Sequence, residues 1–188
     1  MSDTSASPEE LYAQLLALQN QMGGANQQQG QQRMNGNMKL IKSLMTLLAN
    51  TVHGYHEAHG VHWNVKGPDF AQYHELFSNI YEFLFDQIDP TAENILKCGY
   101  DSPFHMSDFI KLKTIDNVDH DDTPQSMAAE LLDILNAIAV NLKDTFDAAN
   151  ELDEQGVANF VAGYLDETQK WAWQLRASLG LQRQNKLV

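Results

Sequence analysis

Apolar residues recur along this chain at steps of three and four, the period of a helix that buries one face. The first long run spans about Met38 to Asn64, with Ile41, Leu44, Leu48, Tyr55, His59 and His62 near one side. The second spans about Phe70 to Lys97 through Tyr73, Phe77, Leu84, Ile88 and Ile95, and Gly99 follows as a stop signal. A third starts after Asp121-Asp122-Thr123-Pro124, where a short polar side chain ahead of a proline marks a helix start. It carries Met127, Leu131, Leu135, Ile138, Leu142 and Phe146. The fourth runs from about Gly156 to Leu179 with Val161, Leu165, Thr168, Ala172 and Leu175. Single-residue alternation, the mark of a half-buried strand, is absent. The pattern predicts an all-α chain of four long helices.

The links between these helices predict how they assemble. About 25 residues separate the second and third helices, and SDFIKL within them predicts a short helix; the other two links are short. A short link, a long crossover and another short link is the layout of a ferritin-like four-helix bundle. Ahead of the bundle, Pro8 to Gln21 (PEELYAQLLALQNQ) predicts a short amphipathic helix. Leu11, Leu15 and Leu18 form its stripe, Ser7 caps it, and Glu9 and Glu10 suit the positive end of its dipole. Met22 to Gly36 (MGGANQQQGQQRMNG) has no apolar period and reads as a flexible linker. Two readings of the first helix stand side by side: a segment docked on its own domain, or a tethered helix that binds a partner's groove. The expected organisation is residues 1–37 as short helix and linker, 38–180 as the bundle, and 181–188 as a short basic tail.

Composition narrows the function classes. At 188 residues, 43% hydrophobic and 20% charged, the chain can bury one sizeable core. No apolar run approaches the roughly 18 residues of a membrane span. MSDTSASPEE lacks the basic start and apolar stretch of a secretory signal, so a cytoplasmic protein without membrane association is expected. A single cysteine, Cys98, excludes a disulfide framework and a multi-cysteine zinc site within one chain. The net charge of −13 argues against non-specific binding of nucleic acid or anionic membrane by the body of the protein and is compatible with cation traffic. It is unevenly spread: residues 1–167 sum to −17, while residues 168–188, with Lys170, Arg176, Arg183 and Lys186, sum to +4.

Four of the seven histidines, His53, His56, His59 and His62, fall within ten residues. Three-residue steps drift around a helix, so the four cannot share one ion, although neighbouring pairs can. A single such histidine is ordinarily a surface or hydrogen-bonded core residue. His56-Glu57-Ala58-His59 is one residue short of the HExxH metalloprotease motif. The second helix is more informative, because His74, Ser78, Phe85, Asp89 and Glu93 lie along one slowly drifting stripe. Asp89 and Glu93, four apart, face the same way, and two hard oxygen ligands beside an imidazole suit iron or another divalent metal. A lone DxxxE is more commonly a solvated acidic face, but Ile88 and Ala92 pull this one toward burial, where paired carboxylates need cations or protons. His74 and Asp89 are fifteen residues apart. That is about 22 Å along a straight helix, too far to hold one ion. Two copies of the helix packed antiparallel across a two-fold axis near Glu82 to Leu84 bring His74 of one chain to Asp89 and Glu93 of the other. If these residues form one site, that site lies between subunits.

His62-Trp63-Asn64-Val65-Lys66-Gly67-Pro68-Asp69-Phe70, then His74-Glu75, then Asp89 and Glu93 in a DxxAE string resemble the signature of the Dps family, the DNA-protection-during-starvation mini-ferritins. The resemblance covers about Met38 to Leu179. It implies a hollow dodecamer of four-helix subunits built from two-fold dimers. Such particles oxidise Fe(II), usually with hydrogen peroxide, store the ferric mineral inside and protect against oxidative damage. The resemblance also implies a di-iron ferroxidase site between two-fold-related subunits. His62 of one chain with Asp89 and Glu93 of its partner would form the stronger iron site, Glu93 would bridge toward the second iron, and His74 lies at that second position. Trp63 resembles the family's aromatic residue that can quench radicals.

This sequence departs from the family pattern at several positions. Ser78 stands where the family usually has an aspartate, and a neutral hydroxyl is a poor iron ligand. The second iron is therefore expected to bind weakly or to recruit Glu75 or Glu82. Asn94 replaces a common arginine, and Pro90 inside the helix predicts a local kink. Asp147, Glu151, Asp153 and Glu154 near the last link read either as a solvated turn or, through the resemblance, as carboxylates of a three-fold pore that draw Fe(II) inward. Asn159 stands where an aspartate is common. DNA binding, which in many members rests on a lysine-rich tail, is expected to be weak or absent: residues 1–38 hold only Arg33 against Asp3, Glu9 and Glu10. Two functions from different classes follow, an iron-oxidising and iron-storing mini-ferritin, or a Dps-shaped shell of weakened ferroxidase activity that acts as a scaffold or partner-binding particle. A different carboxylate-bridged di-metal oxidase would need Glu-x-x-His pairs, which this sequence lacks.

Overall fold

A computed structural model of the chain describes residues 27–117 and 123–181. The helix expected over Pro8 to Gln21, and Arg183 and Lys186 of the basic tail, lie outside them. The described residues form five helices and no strand: α1 (Gln27–Asn64), α2 (Phe70–Lys97), α3 (Met106–Leu112), α4 (Pro124–Glu151) and α5 (Gln155–Ser178). The four long helices are those the apolar spacing predicts, and α3 is the short helix expected within the crossover. The chain divides into two compact units, Met1–Met38 and Lys39–Val188, and the bundle is the second. None of the described helices is long and apolar enough to cross a membrane.

One boundary differs from expectation. α1 begins at Gln27, so residues 27–36, read as part of a flexible linker, are helical. Glutamine is a good helix former, an isolated glycine costs only about 1 kcal/mol, and no proline interrupts the tract. The other signals act as expected. Thr123 caps α4, its hydroxyl accepting the Ser126 N–H at 3.1 Å, with Pro124 at the first turn. Gly99 ends α2 with φ of +86°, a left-handed conformation that a side chain resists. α2 runs unbroken through Pro90. Nearby, the Thr91 hydroxyl donates to the Gln87 carbonyl at 2.6 Å and the buried Asn94 amide donates to the Pro90 carbonyl at 2.8 Å.

The core lies where the helical stripes meet. Leu44, Leu47 and Leu48 of α1 pack with Phe77, Ile80 and Leu84 of α2, Leu131, Leu135, Ile138 and Leu142 of α4, and Val161 and Leu175 of α5. Each buried large side chain contributes about 1.5–3 kcal/mol. Gly54 sits where α1 approaches α4: a Cβ there would lie 3.1 Å from Ile134 Cγ2 and 3.2 Å from Ile138 Cδ1. Several polar side chains inside this core are paired with one another. Asn50 donates to Thr114 Oγ1 at 3.0 Å and Asn141 Oδ1 at 3.3 Å, and accepts the Thr114 N–H at 2.9 Å. Asn50 thereby ties the crossover to α1 and α4. The Thr51 hydroxyl donates to the Leu47 carbonyl and accepts from Tyr164, whose hydroxyl is pushed by burial well above its ordinary pKa.

Candidate functional site

The turn between α1 and α2 brings two of the candidate ligands together. Asn64 closes the end of α1, donating to the Gly60 carbonyl at 2.7 Å, and Val65 N–H reaches Val61 O at 2.9 Å. Gly67 takes φ of +113°, and its carbonyl accepts the Phe70 N–H at 3.1 Å as α2 begins. This tight reversal sets the last turn of α1 against the start of α2. His62 and His74, twelve residues apart in sequence, consequently meet with ring centroids 3.8 Å apart.

Their hydrogen bonding decides which nitrogen is available. His62 Nδ1 lies 2.9 Å from the His74 carbonyl oxygen. A carbonyl only accepts, so Nδ1 carries the proton and Nε2 keeps its lone pair. A metal-ligating histidine is commonly oriented in this way, by donating its other N–H to a carbonyl. Both rings are half-buried, which holds them in place without sealing them from an ion.

The candidate carboxylates lie toward the other end of α2. Asp89 and Glu93 are exposed, against the expectation that Ile88 and Ala92 draw that face into the core of the chain. Ile88 and Ala92 are themselves only half-buried, so the carboxylates project outward. A hollow of about 370 Å³ lined by Phe85, Asp86, Ile88, Asp89 and Pro90 opens beside Asp89. Glu93 meets Lys97 at 3.4 Å, an exposed pair, while Asn94, in place of the expected arginine, turns inward to the Pro90 carbonyl. Among the described residues of one chain, no group of three or more His, Cys, Asp or Glu side chains could hold a metal. The imidazole pair and the carboxylate pair thus lie apart within a subunit. Imidazole nitrogen with two carboxylates is nevertheless a donor set that suits Fe(II).

Ser78 stands one turn after His74, and its hydroxyl lies 3.4 Å from Glu82 Oε1. Of the two substitute ligands, both exposed, Glu82 is the one that Ser78 hydrogen-bonds. Trp63 is 66% exposed and stacks near His59, with centroids 4.2 Å apart. Sequence reasoning missed Tyr81, whose ring stacks on His59 at 4.2 Å and meets His62 edge-on at 5.1 Å. The signal was available: Tyr81 lies seven residues beyond His74, two turns along the same face.

The acidic link between α4 and α5 is exposed at Asp147, Glu151, Asp153 and Glu154. Glu151 is not free: Lys39 Nζ reaches its two carboxylate oxygens at 2.8 and 2.9 Å. Asp153 has φ of +61° and accepts a hydrogen bond from Gln155. Burial, and to a smaller degree the charge of Glu154, push the Cys98 thiol pKa up, so Cys98 is a poor nucleophile.

The model of the ferritin-like domain matches residues 41–184 of this chain. "DNA protection during starvation protein 2" of Bacillus anthracis is 29% identical over 143 residues, covering 76% of this chain and 98% of that protein. A crystal structure of a Dps protein from Vibrio cholerae, described as a member of a broad superfamily of ferritin-like diiron-carboxylate proteins, superposes with a TM-score of 0.73 at 29% identity. It covers 77% of this chain and 91% of its own. Dps from Thermosynechococcus elongatus shares the fold with a TM-score of 0.75 at 24% identity, covering 83% of this chain and 98% of its own.

Proposed function

Because this chain belongs to the ferritin-like family, as a Dps-type mini-ferritin, we propose that it stores iron and protects against oxidative damage by oxidising Fe(II) between paired subunits. Hydrogen peroxide is the proposed oxidant, and a hollow dodecamer assembled from two-fold dimers is the proposed container. The observation that carries this reading is the split arrangement of donors. His62 and His74 are held together near the α1–α2 turn, with His62 Nε2 free to bind a cation. Asp89 and Glu93 wait about 22 and about 28 Å along α2 from His74, by the helical rise, exposed and pointing outward. An antiparallel α2–α2 pair closes both gaps at once, making two identical sites per dimer.

In this reading His62 of one subunit with Asp89 and Glu93 of its partner takes the first Fe(II). The Nδ1–H bond to the His74 carbonyl aims the His62 ring. His74 serves the second iron, with Ser78 too weak a donor to hold it tightly and Glu82 as the nearest added carboxylate. Asp147, Asp153 and Glu154 form the proposed entry path, with Glu151 partly neutralised by Lys39. A cytoplasmic location completes the proposal, with weak or absent DNA binding, since residues 1–38 hold only Arg33 and the basic residues at the C-terminal end are few.

Anaerobic loading with Fe(II), followed by peroxide, tests it. The expected result is rapid ferric absorbance and a mineral that co-elutes with the assembled particle. Slow absorbance no faster than buffer, or iron lost as free precipitate, would leave the scaffold reading, which Ser78 favours.

A further inference from the structure

Beside His62 lies a row of rings that holding an ion does not require. Tyr55, His59 and Trp63 follow one another at steps of four on α1, and Tyr81 and Phe85 do so on α2. Steps of four keep side chains on one helix face, and these two rows meet. His59 stacks on Tyr81 with centroids 4.2 Å apart at an interplanar angle of 22° and lies 4.2 Å from Trp63. Tyr81 meets His62 edge-on at 5.1 Å and 70°. These separations are contact distances for aromatic rings. Tyr81 is half-buried, and among the described residues its hydroxyl makes no hydrogen bond. One continuous path of touching rings therefore runs from the proposed iron ligand His62 through Tyr81 and His59 to the exposed Trp63.

We infer that Tyr81 supplies the second electron when hydrogen peroxide meets a centre holding a single Fe(II), an inference that rests on the ferroxidase reading above. Ser78 makes such half-filled centres common, and peroxide takes two electrons where one Fe(II) gives only one. In this step the O–O bond breaks and Fe(II) becomes Fe(III). One oxygen leaves as hydroxide; the other takes the phenolic hydrogen atom of Tyr81 and leaves as water. Fe(II), peroxide and tyrosine thus become Fe(III), hydroxide, water and a tyrosyl radical, with no hydroxyl radical released. Trp63, in contact through His59, then gives one electron and its indole proton to restore the Tyr81 phenol, leaving a neutral indole radical. The next Fe(II) reduces the oxidised indole, a proton comes from water, and both rings are restored. Two Fe(II) are consumed per peroxide although only one occupies the site at a time.

The test uses the assembled full-length protein loaded anaerobically with one Fe(II) per subunit, mixed with equimolar peroxide and freeze-quenched. A tyrosyl signal is expected by electron paramagnetic resonance, narrowed when the protein carries ring-deuterated tyrosine. Tyr81→Phe keeps the ring and its packing; it should abolish that signal and raise spin-trapped hydroxyl radical several-fold. His59→Leu should leave the signal in place and lengthen its lifetime. No tyrosyl signal in the unaltered protein, or a signal and hydroxyl yield that Tyr81→Phe leaves untouched, overturns the inference while ferric absorbance still upholds the ferroxidase reading. No ferric absorbance in the unaltered protein sinks that reading and this inference together.

Discussion

Complementation between two inactive variants probes the shared site most directly. One variant, His62→Ala with His74→Ala, loses the imidazole half; the other, Asp89→Ala with Glu93→Ala, loses the carboxylate half. Asp89 and Glu93 are exposed, and exposed substitutions usually cost within about 0.5 kcal/mol, so the carboxylate variant should fold normally. Each variant alone should oxidise Fe(II) at the rate of buffer. When the two are unfolded and refolded together in equal amounts, half of the dimers are mixed. Each mixed dimer has one dead site, missing both halves, and one site with both halves intact. A site is therefore active with a probability equal to the product of the two variant fractions, about one quarter at equal mixing. Initial ferric absorbance after peroxide should recover to about a quarter of the unaltered rate and fall as either variant is used in excess. Mixing the folded variants without refolding is the control and should recover nothing. Refolded mixtures no more active than the separate variants, with mixed dimers present by mass spectrometry, would refute the split site.

Ser78→Asp should convert one tight iron per half-site into two, tightening the second by roughly tenfold or more, as read by anaerobic Fe(II) titration; two equally tight ions in the unaltered protein would contradict the weak-site argument. Phe77 is fully buried, and Phe77→Ala should cost about 3–5 kcal/mol in denaturant unfolding. Burial holds the His53 imidazole below its ordinary pKa, with its Nε2–H donating to the Asp116 carbonyl. The unfolded chain then binds the proton first, so stability should decline as pH falls below about 6.5. His53→Gln should shrink that decline between pH 7.5 and 5.5, measured as the difference in melting temperature from the unaltered protein.

Local chemistry made most of the bundle legible. The run from Phe70 to Lys97 is bounded by Gly99, whose positive φ only glycine takes easily, and Thr123-Pro124 marks the start of α4 by its hydrogen bond. Such signals act within a few residues, so sequence spacing captures them. Residues 27–36 misled because a glutamine tract lacks an apolar period, yet its backbone propensity still favours helix. The site was legible where it depends on helical arithmetic: the separation of His74 from Asp89 is a count of residues. Exposure of Asp89 and Glu93 was not, because a half-apolar face is read equally well as buried or as open. Nor were the pairing of Glu151 with Lys39 and the stacking of Tyr81 on His59, which join residues on different helices through the packing of the whole bundle.

Asn50 carries a consequence for how the chain finds its connectivity. Its amide bonds join α1, α4 and the crossover at Thr114, three segments distant in sequence. Leucine-rich stripes pack tolerably in more than one axial alignment, whereas a buried amide left without its partners costs about 1–3 kcal/mol. A bundle with α4 slipped by one turn, or with the crossover laid along the wrong groove, strands both Asn50 and Asn141 in a dry interior. The amides thus act as a proofreading device during folding, penalising mis-threaded bundles that apolar packing alone would accept. For a subunit whose chemistry depends on meeting its own copy in register, that internal alignment is set before any partner arrives.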